Sequence, residues 1–158
     1  MRVSHLIVIT SLLAACQPAA PPPPAAPSEA DLAMAGAILD TMAAAIGRHD
    51  GTLMASVYAT RPSAAAITQG EAAQGPDAIR ARYAPWDTAS AWSGQVVWAD
   101  RTLEPLGPDA ILATATFTWS QLDPSGKRVE FPGAVWTGVL VREGARWALL
   151  HEHESFNR

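Results

Sequence analysis

Two histidines and two glutamates alternate near the end of the chain, within the run 146–155, RWALLHEHES. The apolar residues before them predict a β-strand, in which successive side chains point to opposite faces. One predicted face comprises Trp147, Leu149, His151, His153 and Ser155, and the other Ala148, Leu150, Glu152 and Glu154. Groups that donate, accept or titrate protons should therefore lie at the edge of an apolar core.

The histidine face offers general acid–base chemistry, because an imidazole changes its charge near neutral pH. The glutamate face offers a second route, in which apolar walls raise the pKa of Glu154. The predicted catalytic residues are accordingly His151, His153 and Glu154, and Glu152 is predicted to contact a ligand. A structural interpretation stays open, in which the histidines bond to neighbouring strands and the glutamates face solvent or a dimer interface. The strand before His151 is apolar on both faces, so its periodicity leaves open which face lines a pocket.

The two histidines could also supply two ligands of a metal site, with His49 and Asp50 adding others. The same spacing arises in a purely structural strand, and no further cluster of Cys or His accompanies it. We therefore predict neither a metal nor another cofactor. The sequence also has no nucleophile elbow, P-loop or dinucleotide-binding fingerprint.

Aromatic residues predict a ligand pocket, since the chain has six Trp but only three Phe and two Tyr. Each Trp combines a large apolar surface with one N–H donor, and most of the six are expected in the core. Trp119 and Trp136 fall on neighbouring predicted strands. Together with Tyr58 from a short helix, they are predicted to contact a small molecule.

Charge and composition exclude several classes of protein. The chain has 158 residues, 16% of them charged, and a net charge of −4. It has no basic patch for the phosphates of a nucleic acid, and its length and apolar content suit one globular domain.

The N-terminus predicts a lipoprotein signal. Arg2 precedes a short apolar run that ends in LAAC, in which Cys16 is the only cysteine of the chain. Residues 1–15 are thus predicted to be a signal peptide, and Cys16 to carry the lipid. Residues 16–28, rich in Pro and Ala, are predicted to form an extended tether. Because Gln17 rather than Asp follows the cysteine, we expect the domain on the periplasmic face of the outer membrane.

Residues 29–158 predict one α+β domain. Helical spacing over 29–48 and two shorter helical segments precede four strand-like runs joined by Gly, Pro and Asp turns. This order predicts N-terminal helices packed on a curved antiparallel sheet of four to six strands.

The opening GPDAIR of the third helix, residues 75–80, and the final hairpin, residues 136–155, resemble the SnoaL-like domains. These belong to the superfamily of nuclear transport factor two, scytalone dehydratase and ketosteroid isomerase. The resemblance implies a cone-shaped fold whose pocket serves isomerases, dehydratases, cyclases or non-catalytic ligand binders, and a homodimer that pairs through the sheet. The ketosteroid-isomerase arrangement, a carboxylate base with an oxyanion hole of Tyr and a carboxylic acid, cannot be mapped. The two tyrosines, Tyr58 and Tyr83, fall in no recognisable motif.

Three functions follow as hypotheses. The domain binds a small apolar or weakly polar ligand in the cell envelope, or it is an enzyme that uses His151, His153 or Glu154 as acid or base. In the third hypothesis the sheet face binds another protein and the pocket has no ligand.

Overall fold

The computed structural model of the protein describes residues 25–88 and 93–156, so Cys16 and the predicted signal peptide lie outside them. Its helices are α1 (Glu29–Arg48), α2 (Gly51–Ser56) and α3 (Pro76–Tyr83), with a 3₁₀ turn over Ala84–Thr88. Its strands are β1 (Ala65–Thr68), β2 (Glu71–Gln74), β3 (Gln95–Gly107), β4 (Ala110–Leu122), β5 (Arg128–Glu143) and β6 (Arg146–Ser155). The predicted α+β fold, with helices packed on a curved sheet, is confirmed.

Helix α1 begins at a capping box. The Ser28 side chain accepts a hydrogen bond from the Asp31 N–H, and the Asp31 carboxylate accepts one from the Ser28 N–H at 2.9 Å. The helix ends at His49, whose left-handed φ of 55° stops the helical path. By length and composition α1 could cross a bilayer, but its apolar face is buried in the core and packs on β3 and β6.

The six strands form one sheet in the order β2-β1-β6-β5-β4-β3. Strands β3 to β6 are an antiparallel meander, as their turn sequences predict. Strand β1 pairs with β6 in parallel, which makes the sheet mixed. This pairing requires a long connection, and almost the whole meander lies between the two strands in sequence.

Four register shifts interrupt the ladders of the sheet. Two lie in β3, between Ala99 and Thr102 and between Pro105 and Gly107; the others lie near Gly133 in β5 and at Leu150 in β6. A bulge places two residues opposite one, which bends its strand and increases the local twist. The glycine at 133 has a φ of 78°, a conformation that side chains disfavour. The sheet therefore has a concave face that holds the core and a convex face.

Core residues fill only one end of the concave face. Large and small apolar side chains from three strands are buried there, among them Ile111, Ala113, Ala115, Leu140 and Leu149. At the other end, where β6 ends and β3 begins, the same face lines a cavity. This is where a ligand site should lie in a cone-shaped fold.

Candidate functional site

The cavity has a volume of about 940 Å³ and lies between α1, α3 and the concave face of the sheet. The β1–β2 turn, residues 68–71, borders it. Eight of its lining residues are aromatic: Tyr83, Trp86, Trp98, Phe117, Trp119, Phe131, Trp136 and Phe156. A cavity of this size and composition suits a drug-sized, largely apolar ligand.

The bulge at Leu150 decides which side chains of β6 face the cavity. Strict alternation predicted that Trp147 and Leu149 share a face with the histidines, and this is wrong. In the register with β5, Leu149 is opposite Leu140 but His151 is opposite Val139, so Leu150 is the extra residue. Beyond it the alternation is shifted by one residue. The two glutamates therefore lie on the concave face, with the buried Trp147 and Leu149.

Glu152 lies at the cavity wall with only 1% of its surface exposed. Its Oε2 accepts a hydrogen bond from Trp136 Nε1 at 2.8 Å. Its Oε1 accepts from the hydroxyl of Tyr58 and, at 3.3 Å, from that of Tyr83. The two hydroxyl oxygens are 3.0 Å apart. We call Glu152, Tyr58, Tyr83 and Trp136 the buried carboxyl cluster.

Gly138 makes room for this cluster. It pairs with Glu152 across the β5–β6 ladder. A Cβ at this position would lie 2.3 Å from Cη2 of Trp136 and 2.9 Å from Cδ1 of Leu149. The indole can therefore lie over the strand, with its N–H directed at Glu152, only because residue 138 has no side chain.

Burial sets the protonation behaviour of the cavity. It raises the pKa of Glu152, although the three hydrogen bonds oppose the rise. Burial and the neighbouring charge of Glu152 raise the pKa of Glu154 to about 7, against the opposing field of Arg82. Burial and the same carboxylate also raise the pKa of Tyr58 and of Tyr83 well above 10, so both hydroxyls keep their protons at neutral pH.

Arg82 supplies the positive charge beside the two glutamates. It extends from α3 and lines the cavity. Its Nη2 donates to Oγ1 of Thr68 and, at 3.4 Å, to the Thr68 carbonyl. Glu71 lines the same part of the cavity, at the start of β2.

The buried carboxyl cluster can relay a proton to the cavity. When Glu152 is ionised, both hydroxyls and the indole N–H direct their protons toward it. When Glu152 is protonated, it can donate to Tyr58, and Tyr58 can donate to Tyr83. The Tyr83 O–H is then free to donate to a ligand oxygen, as in an oxyanion hole. Glu154, with its pKa near neutrality, could exchange a proton in the same cavity.

The two histidines lie on the convex face. His151 is opposite Val139. His153 is an exposed residue opposite Thr137, and it also borders the cavity. Neither contacts the buried carboxyl cluster in the described contacts. No group of three or more His, Cys, Asp or Glu that could hold a metal occurs among the described residues. A catalytic role for either histidine stays a prediction, and the geometry favours the glutamates.

Trp119, Trp136 and Glu152, which the sequence predicts as ligand contacts, all line the cavity. Tyr58 is 4% exposed and lies behind Glu152. Sequence reasoning did not select Tyr83, Arg82 or Trp98 as site residues. The Tyr83 and Glu152 positions are 69 residues apart, and no spacing pattern links a helix end to a distant strand.

Comparison with known proteins identifies related folds. The sequence model of the SnoaL-like domain family matches residues 36–158. None of the curated proteins matches the chain significantly. Among solved structures, the chain resembles a candidate dehydratase of the NTF2-like family from Streptomyces avermitilis. The two share 20% identity over 83% of this chain and 99% of that chain, with a TM-score of 0.69.

Two further structures have the same architecture. One is a candidate calcium/calmodulin-dependent protein kinase II association domain from Xanthomonas campestris, at 21% identity over 85% of this chain and 94% of that chain, with a TM-score of 0.65. The other is an NTF2-like protein with a cystatin-like fold from Novosphingobium aromaticivorans, at 13% identity over 80% and 82%, with a TM-score of 0.68. At such identities these likenesses show the fold alone.

Proposed function

This chain belongs to the SnoaL-like domain family, and we propose that its cavity binds a small, largely apolar ligand whose one polar group contacts Glu152 and Glu154. Proteins of this fold include enzymes and ligand binders, so membership alone leaves the activity open. The observation that supports the proposal is the cavity itself. Eight aromatic side chains surround it, and polar groups converge at one part of its wall.

A binding measurement tests this function. Nile red, a neutral apolar dye, is expected to bind and to gain fluorescence in the cavity. Trp119→Ala should weaken its affinity by about tenfold, because one aromatic contact contributes roughly 1 kcal/mol or more. Leu122→Ala removes an exposed apolar side chain outside the cavity lining and should leave the affinity unchanged. Equal affinities of both variants would place the dye elsewhere and count against the proposal.

A second candidate function is acid–base catalysis of the isomerase or dehydratase type. Two observations favour it. The pKa of Glu154 near 7 suits a general base, and Tyr83 could donate to a developing oxyanion. The two functions can be distinguished by identifying the small molecules that the protein retains when it is purified from its native envelope. Recovery of a substrate together with its altered product, in a ratio that Glu154→Gln changes, would favour the enzyme.

We further propose that the domain is tethered to the membrane through a lipid on Cys16, on the periplasmic face of the outer membrane. The support is the sequence of residues 1–28, since the described residues begin at 25. A Cys16→Ser protein is expected to move from the membrane fraction to the soluble fraction, because one residue carries the whole anchor. Continued membrane association of that protein would contradict the anchor.

The convex face of the sheet is our proposed contact for a homodimer. Val97 and Val135 are 65% and 45% exposed. Their partners across β4 are Thr118 and Thr116, so apolar and hydroxyl side chains lie side by side on this part of the face. The same surface would serve a partner protein in the third hypothesis. Sedimentation equilibrium of the purified domain distinguishes a dimer from a monomer.

A further inference from the structure

We infer that the polar group of the ligand is a positive charge, and that the cavity selects an organic ammonium ion with an apolar body. The inference rests on the proposed function, because it names the class of ligand for the same cavity. It follows from the aromatic walls, the excess of carboxyl groups and the position of Glu154.

The walls provide aromatic surfaces of the kind that attract cations. Successive rings meet edge to face: the centroids of Trp98 and Phe117 are 5.3 Å apart at 64°, and those of Trp98 and Trp136 are 5.7 Å apart at 65°. Phe117 and Phe156 continue the series at 5.5 Å and 84°. Phe117 and Trp136 are almost wholly buried. The partly exposed rings of Trp98, Trp119 and Phe156 are therefore the ones that can contact a quaternary or protonated amine.

The charges that line the cavity are unbalanced. Three carboxyl groups, those of Glu71, Glu152 and Glu154, line it together with one guanidinium, that of Arg82. Arg82 already donates to Thr68 and can neutralise only one of the three. Once Glu154 is ionised, above about pH 7, an anionic ligand would add to the negative charge of the lining, whereas a cation would reduce it.

Glu154 is the carboxyl group that lacks a partner. Glu152 accepts hydrogen bonds from Tyr58, Tyr83 and Trp136, but no donor among residues 25–88 and 93–156 reaches the Glu154 carboxyl group. The Glu154 oxygens stay accessible to solvent, so a ligand that covers them must supply a counter-ion or a donor in place of water. A neutral apolar ligand would leave it unpaired, and an ammonium ion would pair with it.

Protonation of Glu154 should therefore oppose binding of the cation. The titratable and charged groups near Glu154 are Glu152 on the same strand and Arg82 and Tyr83 on α3, and its cross-strand partner Trp136 is uncharged. Glu71 on β2 and His153 on β6 line the same cavity. Burial and Glu152 raise the pKa of Glu154 to about 7. A bound cation favours the ionised form, so binding should release a proton and strengthen as the pH rises.

Two probes of nearly equal shape test the inference through displacement of Nile red. Phenyltrimethylammonium carries a permanent charge, and tert-butylbenzene is its neutral counterpart. For the cation, the dissociation constant at pH 8.5 should be at least about tenfold lower than at pH 5.5, because Glu154 changes from protonated to ionised. For tert-butylbenzene it should change less than about twofold over the same range.

Variants identify the group responsible. Glu154→Gln should remove most of the pH dependence for the cation and weaken its binding at pH 8.5. Glu104→Gln replaces an exposed glutamate on the convex face and should behave as the unchanged protein. The inference is overturned if the neutral probe binds as tightly as the cation at pH 8.5, if the cation does not displace the dye, or if Glu154→Gln binds the cation unchanged. Failure of Nile red itself to bind would instead refute the proposed function, and the inference with it.

Discussion

Replacement of Glu152 by Ala is expected to lower the free energy of unfolding by about 3 to 5 kcal/mol. The variant leaves the Trp136 N–H and the hydroxyls of Tyr58 and Tyr83 without their common acceptor in a site that is almost inaccessible to solvent. Each unsatisfied buried donor costs roughly 1 to 3 kcal/mol, and the hydroxyls can recover part of this by bonding to each other. Urea denaturation followed by tryptophan fluorescence measures the loss.

Glu152→Gln is the matched variant, because it keeps the volume and one acceptor. The Trp136 indole can only donate, so the amide oxygen must face it. The amide N–H can then donate to Tyr58, and Tyr58 to Tyr83, which reproduces the arrangement of protonated Glu152. We expect the free energy of unfolding of this variant to lie within about 1 kcal/mol of that of the unchanged protein. An Ala variant that is as stable as the Gln variant would show that the cluster contributes little to stability.

The elements that position this cluster could be predicted because their signals are local. The cap at Ser28 and the helical spacing of apolar residues define α1. The Gly, Pro and Asp turns define the hairpins. They predict strands over 93–106, 110–122, 129–142 and 146–155, which lie within two residues of the observed β3 to β6. Each signal involves residues that are near one another in sequence.

The site could not be predicted to the same extent, because it depends on distant residues and on one inserted residue. The bulge at Leu150 moves two glutamates from an unassigned face to the cavity, and nothing in the run ALLHEHE marks which leucine is extra. Tyr58 and Tyr83 reach Glu152 from the end of α2 and the end of α3. Such convergence follows from the packing of the helices on the sheet, which periodicity does not describe.

The stability of the protein is expected to fall by about 2 to 3 kcal/mol between pH 5 and pH 8, mainly through Glu154. The pKa of Glu154 is about 7 in the folded protein, whereas the ordinary value for a glutamate is 4.5. A carboxyl group whose pKa is raised by folding contributes its full stabilisation at pH values below its pKa in the unfolded chain. This contribution is lost as the pH rises through its pKa in the folded protein. The full shift would correspond to roughly 3.4 kcal/mol, and partial contact with solvent reduces it.

Other carboxyl groups act in a different range of pH. Hydrogen bonds to Ser28, Thr52 and Ser125 hold the pKa values of Asp31, Asp87 and Asp123 below their ordinary range. The contributions of these three groups to stability are present above about pH 4 and are lost only as the pH falls below that value. The pKa of Glu152 is raised, so its ionisation adds to the loss of stability as the pH rises.

Urea denaturation at intervals from pH 4.5 to 8.5 measures this dependence, and Glu154→Gln assigns it. The amide has the same shape but does not titrate. The free energy of unfolding of the variant should therefore exceed that of the unchanged protein by about 2 kcal/mol at pH 8 and equal it near pH 5. Glu104→Gln, on the convex face, should follow the curve of the unchanged protein. If the Glu154→Gln curve keeps the same slope, Glu154 is not the group that titrates. Because the ionised side chain costs stability only while it has no counter-ion, phenyltrimethylammonium at pH 8 should recover stability in the unchanged protein more than in the variant.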